Sequence, residues 1–246
     1  MGTLTAMPPL AITAERLRPF GERWQNNGDK LPRNPPYNSA QLGAVFDTAL
    51  GEALAVMLGG IPVVRPTANR LLPSEPDCVE VGPITVVGAV RVQNYDVGYR
   101  PDGIRFVADS KTLNDRESIG KNSLNMINDL ATEATTVHAR FPYAVVAFIV
   151  AFPEPAIAPA RQVVMIETLE RLTGRQGIDN PPHLAEAIAF VLWDPATGQI
   201  NPANPSVSSP LRFEKLSQQI ESAYVARYKG DPPHRAALPA APSVEA

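Results

Sequence analysis

Three features of the chain predict an α/β fold in which a mixed central β-sheet is flanked by helices. A long apolar stripe at helical spacing lies over 39–58, two alternating runs joined by a turn lie over 94–111, and two continuous apolar runs at 143–152 and 187–193 are separated by a helical segment. Strands alternating with helices in this order favour a sheet layered between helices. The 246 residues, 44% of them hydrophobic, suffice for one substantial core.

Residues 1–38 are rich in Pro, Asn and Gly with one helical segment at 13–24, and they read as an arm or outer layer. Ser39 is a good N-cap. After it Leu42, Val45, Phe46, Ala49, Leu50, Ala53, Leu54 and Met57 recur at helical spacing until Gly59-Gly60 supplies the stop. The Pro-rich stretch 61–82 reads as loop, and a first strand is expected over 84–92. Downstream, Asn114 or Asp115 caps a helix that runs to about residue 139, with Ile119, Met126, Ile127, Leu130, Ala134 and Val137 on its apolar side. Lys121, Asn122, Asn125, Asn128 and Asp129 occupy its other side. The run Y-A-V-V-A-F-I-V-A-F at 143–152 suits a central strand covered on both faces. A helix at 159–173, a strand at 187–193, a D-P-A-T-G turn, a loop over 194–211 and a closing helix over 212–228 complete the pattern. Pro and Ala dominate 230–246, which is expected to be a disordered tail.

The segment 94–111, N-Y-D-V-G-Y-R-P-D-G-I-R-F-V-A-D-S-K, carries the chemistry. Successive strand side chains point to opposite faces. Tyr95, Val97, Tyr99, Ile104, Phe106 and Ala108 therefore make one apolar face, while Asp96, Arg100, Arg105, Asp109 and Lys111 share the other, and Pro-Asp-Gly is a turn signal. An even loop places position 96 across from position 109, whereas an odd one mixes the faces. Cross-strand Cβ atoms lie roughly 4.5 to 5.5 Å apart, so Asp96 and Asp109 are spaced to hold one divalent ion with Lys111 beside it. A hard cation such as Mg²⁺ takes oxygen ligands, polarises a phosphate oxygen and lowers the pKa of bound water. Lys111 there would orient or deprotonate that water and neutralise developing charge. The pattern predicts phosphodiester hydrolysis.

Asp109-Ser110-Lys111 at the end of an apolar strand, with an acid upstream and a long helix after it, resembles the PD-(D/E)xK nuclease superfamily, and type II restriction endonucleases in particular. The resemblance spans 39–195. It implies an α-β-β-β-α-β core, Mg²⁺ dependence, double-stranded DNA as substrate, a metal site of Asp96, Asp109 and Ser110, and a homodimer that cuts both strands. Residues 39–229 would then be the catalytic domain. Pro101-Asp102 spells the family's literal "PD", so Asp102 competes with Asp96 as the upstream acid. Seven residues of strand span about 23 Å, which favours Asp96 and leaves Asp102 as a turn residue unless the chain folds sharply. Some members of the family place a glutamate from the first helix in the metal site, which nominates Glu52 over Asp47. Lys121 and Asn125, one turn apart, and Arg105 are the candidates for contacts to the DNA backbone. Arg16, Arg18, Arg23, Lys30 and Arg33 make the arm basic, as either a grip on DNA or a solvated segment over the core.

A net charge of −3 does not advertise nucleic-acid binding, so phosphate-binding charge must be local. The lone Cys78 fits a reducing compartment, and the absence of a leader or a long apolar run predicts a soluble, cytoplasmic protein without membrane contact. There is no G-x-x-x-x-G-K-[ST] or G-x-G-x-x-G motif for nucleotides, and His138, His183 and His234 are too scattered for a zinc site. A repair or recombination nuclease with the same centre, and a non-catalytic DNA-binding or assembly protein on a nuclease fold, are the alternative readings.

Overall fold

The structure, a computed structural model, describes residues 4–228, so the tail expected at 230–246 lies outside the described residues. Six strands form one sheet in sequence order: β1 (Val63–Val64), β2 (Val79–Val87), β3 (Val92–Tyr99), β4 (Phe106–Thr112), β5 (Val145–Pro153) and β6 (Ala187–Trp193). The pairings β2–β3 and β3–β4 are antiparallel, whereas β1–β2, β4–β5 and β5–β6 are parallel. Connection length explains the pattern. Short turns close β2–β3 and β3–β4, while parallel neighbours need a crossover, supplied by α3 (Ile119–His138) after β4 and α4 (Pro159–Glu170) after β5. Three further helices, α1 (Ala14–Asn26), α2 (Ser39–Met57) and α5 (Leu216–Tyr228), make this an α/β fold with a mixed sheet flanked by helices.

Every residue of β5 and β6 is buried, as continuous apolar runs covered on both faces must be. The sheet packs through aromatic contacts such as Phe152 on Phe190, with ring centroids 5.6 Å apart, and Tyr99 on Tyr224 of α5 at 6.4 Å. Helix α2 starts on a capping box in which Asn38 accepts from the Gln41 N–H and the Gln41 side chain accepts from the Asn38 N–H, so the cap is Asn38 rather than Ser39. It lies across β2, β3 and β4.

Helix α1 is part of the packed structure, with Leu17, Phe20 and Trp24 buried and the Trp24 indole donating to the Asn114 carbonyl at 2.6 Å. Gly21 sits against the chain at Pro195, where an added Cβ would fall 1.9 Å from the carbonyl oxygen. Among the described residues no helix is long and apolar enough to cross a membrane.

Several boundaries differ from the sequence expectation. The Pro-rich stretch contains β1 and the first part of β2, because pairing with β3 begins at Val79 opposite Tyr99 rather than at residue 84. Helix α3 begins at Ile119, since the Asp115 carboxylate accepts the Glu117 N–H at 3.0 Å and its carbonyl accepts the Ser118 N–H, forming a turn before the helix. The closing helix is split into a 3₁₀ turn, Phe213–Lys215, followed by α5.

Replacing Gly21 by Ala is expected to lower stability by about 1–3 kcal/mol, the usual cost of overpacking, because the Pro195 backbone has to move. Thermal or urea denaturation of Gly21→Ala checks this.

Candidate active site

The β3–β4 hairpin has the register that an even loop predicts. Tyr99 pairs with Phe106, Gly98 with Val107 and Val97 with Ala108, so Asp96 and Asp109 come next in line. The intervening loop is six residues, 100–105, longer than a tight turn. After Val97 the ladder stops, and the Asp96 carboxylate itself accepts the Ser110 N–H at 3.3 Å. On the other edge of β3, Val81 pairs with Val97 but Ile84 with Tyr95, so two β2 residues, Gly82 and Pro83, face the single Asp96. This is a β-bulge, which bends a strand and re-aims neighbouring side chains. Its residues suit it, because Gly82 has φ +134° and Pro83 has no N–H to leave unpaired.

Asp96, Asp109, Ser110 and Lys111 line one cavity of about 570 Å³ together with Asp47 and, on α3, Asn125. Asp109 is 8% exposed and accepts a hydrogen bond from the Lys111 ammonium. Lys111 also donates to Glu133 of α3 at 2.9 Å. Asp47 comes from the sheet-facing side of α2, where Gly43 one turn earlier also lines the cavity. Four carboxyls thus crowd around one ammonium. The Oδ1 of Asp47, the Ser110 hydroxyl and Oε2 of Glu133 are buried without a hydrogen-bond partner.

The crowding decides the protonation states. Burial, together with the closeness and charge of Asp109 and the charge of Asp47, pushes the Asp96 carboxyl up to about 9. Burial and the Asp109 charge raise Asp47 to about 7, against the pull of the nearby Ser110 hydroxyl, which forms no well-aligned bond to it. Glu133 rises to about 7, mainly by burial and then by the Asp109 charge, although Lys111 pulls the other way. Asp109 is the exception. Burial alone would raise it, but the neighbouring Asp96 proton and the Lys111 ammonium hold it below the ordinary carboxylate range. Lys111, though burial opposes its charge, is raised above an ordinary lysine by Asp109 and Glu133, so here it is an ammonium and not a base.

A cation fits this donor set. Among the described residues no group of three or more His, Cys, Asp or Glu side chains is placed to hold a metal ion. Mg²⁺, however, is commonly bound by one or two carboxylates while keeping waters and taking substrate phosphates. Asp96 and Asp109 supply that open arrangement, and the orphaned Asp47 oxygen beside them is a further acceptor with no partner of its own.

Other residues singled out from the sequence lie elsewhere. Asp102 pairs with Arg105 in the hairpin loop, with Nε–Oδ1 2.8 Å and Nη2–Oδ2 2.5 Å, so it is a turn residue and does not line the cavity. Arg105 is buried, tied to Asp102 and stacked 4.8 Å over the Tyr228 ring, and it does not line the cavity. Glu52 is exposed, about 140° around α2 from Asp47 at 3.6 residues per turn, so the helix sends Asp47 to the cavity and Glu52 to solvent. Lys121 is exposed outside the cavity lining, whereas Asn125 and Asn122 line it.

Asp47, ranked below Glu52 from the sequence, and Glu133, not singled out there, are the further buried acids of this cluster. Both carry a signal: an acid inside an apolar stripe, between Phe46 and Leu50 on α2 and between Leu130 and Ala134 on α3. An acid buried at such a position needs a partner.

Comparisons with protein-family models, with curated proteins and with solved structures return no match to this chain.

Raised acid pKa values make stability fall with pH. Asp96, Asp47 and Glu133 keep protons in the folded state that the unfolded chain releases above about pH 4, so folding loses ground as pH climbs through 7 towards about 9. Asp109, held low, acts only in the acid range. Without added divalent cation the melting temperature is expected to decline from pH 5 to pH 9. Asp96→Asn is expected to flatten that decline, and a series of thermal melts across this range tests it.

Proposed function

We propose that this chain is a Mg²⁺-dependent endonuclease of the PD-(D/E)xK kind, acting on double-stranded DNA, with cleavage of a specific duplex sequence in the manner of a type II restriction enzyme as its role. The observation that carries the reading is the meeting of Asp96, Asp109 and Lys111 in one cavity wall, with the Lys111 ammonium on Asp109. The order α2-β2-β3-β4-α3-β5 supports it, since it is the α-β-β-β-α-β succession the resemblance implies.

In this reading Asp96 and Asp109 would hold the cation. Bound there, Mg²⁺ would polarise a phosphate oxygen and make an attacking water more acidic. Lys111, fully charged, neutralises negative charge building on the phosphate rather than taking a proton. The attacking water forms the new P–O bond and gives up a proton to solvent, the ester P–O bond breaks, and the departing oxygen takes a proton from solvent and leaves as an alcohol. Asn122 and Asn125, on the α3 wall, offer amide donors to the DNA backbone. Cleaving both strands of a symmetric site calls for two such centres, which makes a homodimer the working assembly. A reducing cytoplasm suits the buried, unpaired Cys78.

Incubation of supercoiled plasmid with and without Mg²⁺ is the direct test. Discrete fragments are expected. Nicks or junction cuts would point to a repair nuclease, and binding without cleavage to a non-catalytic DNA-binding protein. Asp109→Asn, Asp96→Asn and Lys111→Ala are each expected to lower cleavage by at least about 100-fold, on the scale of removing one transition-state donor. Asp102→Asn is expected to leave it unchanged. Full activity in both Asp109→Asn and Lys111→Ala would sink the proposed centre.

A further inference from the structure

Lys111 is held from two sides by carboxylates with different situations. Asp109 lines the cavity, whereas Glu133 does not. Glu133 is 2% exposed and is itself pinned by β3. Gln93 Nε2 donates to the same Oε1 that accepts from Lys111, at 3.1 Å, and the Tyr95 hydroxyl donates to the Glu133 carbonyl at 2.9 Å. The strand that carries Asp96 therefore also anchors the second carboxylate on Lys111.

A cation bound between Asp96 and Asp109 would share the Asp109 carboxylate with the Lys111 ammonium, and like charges on one carboxylate repel. The lysine stem is long and flexible. With no second acceptor such as Glu133 Oε1, Lys111 would either compete with the cation or swing away from the phosphate position. We propose that Glu133 is a positioning residue that retains the Lys111 ammonium at the cavity wall when a divalent cation claims Asp109. This rests on the reading of the cavity as a Mg²⁺-dependent centre. It goes beyond that reading by giving a task to a side chain that touches neither cation nor DNA.

Calorimetric titration of the protein with Mg²⁺, in the absence of DNA, tests the inference without relying on cleavage. Glu133→Gln is expected to weaken Mg²⁺ binding roughly 10- to 100-fold, the usual range for losing a partner behind a metal ligand, because Lys111 is left with Asp109 alone. In a Lys111→Met background the same change is expected to have no effect. An equal loss in both backgrounds would mean that Glu133 acts on the cation directly, and undiminished binding by Glu133→Gln would mean that it does not matter; either result overturns the inference while leaving the centre in place. Failure of the unaltered protein to bind Mg²⁺ would overturn the centre and the inference together. If Glu133→Gln does not fold, the unaltered protein still decides. The chain has five lysines, so the Lys111 ammonium can be followed in a ¹⁵N-lysine spectrum, assigned by its loss in Lys111→Met. It is expected to stay protected from exchange at saturating Mg²⁺, and its disappearance there would refute the proposal.

Discussion

The carboxylate of Asp96 accepts the Ser110 N–H at 3.3 Å where β3 and β4 part, and the geometry of the cavity depends on that bond. Up to Val97 and Ala108 the two strands satisfy one another's backbone. One residue further a side chain takes over, so the β4 donor is paired and β3 is free to diverge without leaving it bare. Divergence opens room beside Asp109 and Lys111 that a continued ladder would close. It also brings the first part of β3 under α3, where Gln93 and Tyr95 meet Glu133.

Buried acids recur in this chain, and the number of cations around each decides what it can do. Glu186, at the start of the last strand, accepts from His138, Arg175, Arg227 and the Val146 N–H. Burial would raise it, yet these partners, His138 foremost, hold it below the ordinary range. Glu80 is likewise matched by Arg100, whose guanidinium also binds the carbonyls of Leu71 and Leu72. Such saturated clusters tie segments together and leave nothing for a ligand to satisfy. Around Lys111 the ratio is reversed, with Asp47, Asp96, Asp109 and Glu133 against one ammonium. Unmatched charge of that kind is tolerable only with protons or a visiting cation.

The elements with a strong local period were legible from sequence. The stripe of α2 and the apolar runs of β5 and β6 needed no knowledge of neighbours, because burial on one side or both is written in their composition. The parity of the hairpin was legible for the same reason, as only an even loop keeps Tyr95, Val97 and Tyr99 with Phe106 and Ala108. What failed depended on distant partners. β1 and the start of β2 are strands through pairing with each other and with β3, and their prolines hid this. Arg105, placed on the polar face of the hairpin from its spacing, is internal because it stacks on Tyr228, far along the chain. Glu52 lies on the solvent side of α2, whereas Asp47, which the helical wheel puts on the apolar side, lines the cavity.

The extra residue in β2 opposite Asp96 has an implication for how such a chain changes over time. No β2 residue lines the cavity, yet its extra residue lies directly opposite the acid on the adjacent strand. Drift at Gly82, whose φ is +134° and where an added Cβ would fall 3.1 Å from Pro66, would therefore strain the bulge directly opposite Asp96. The acid and the irregularity that faces it are thus inherited from different strands.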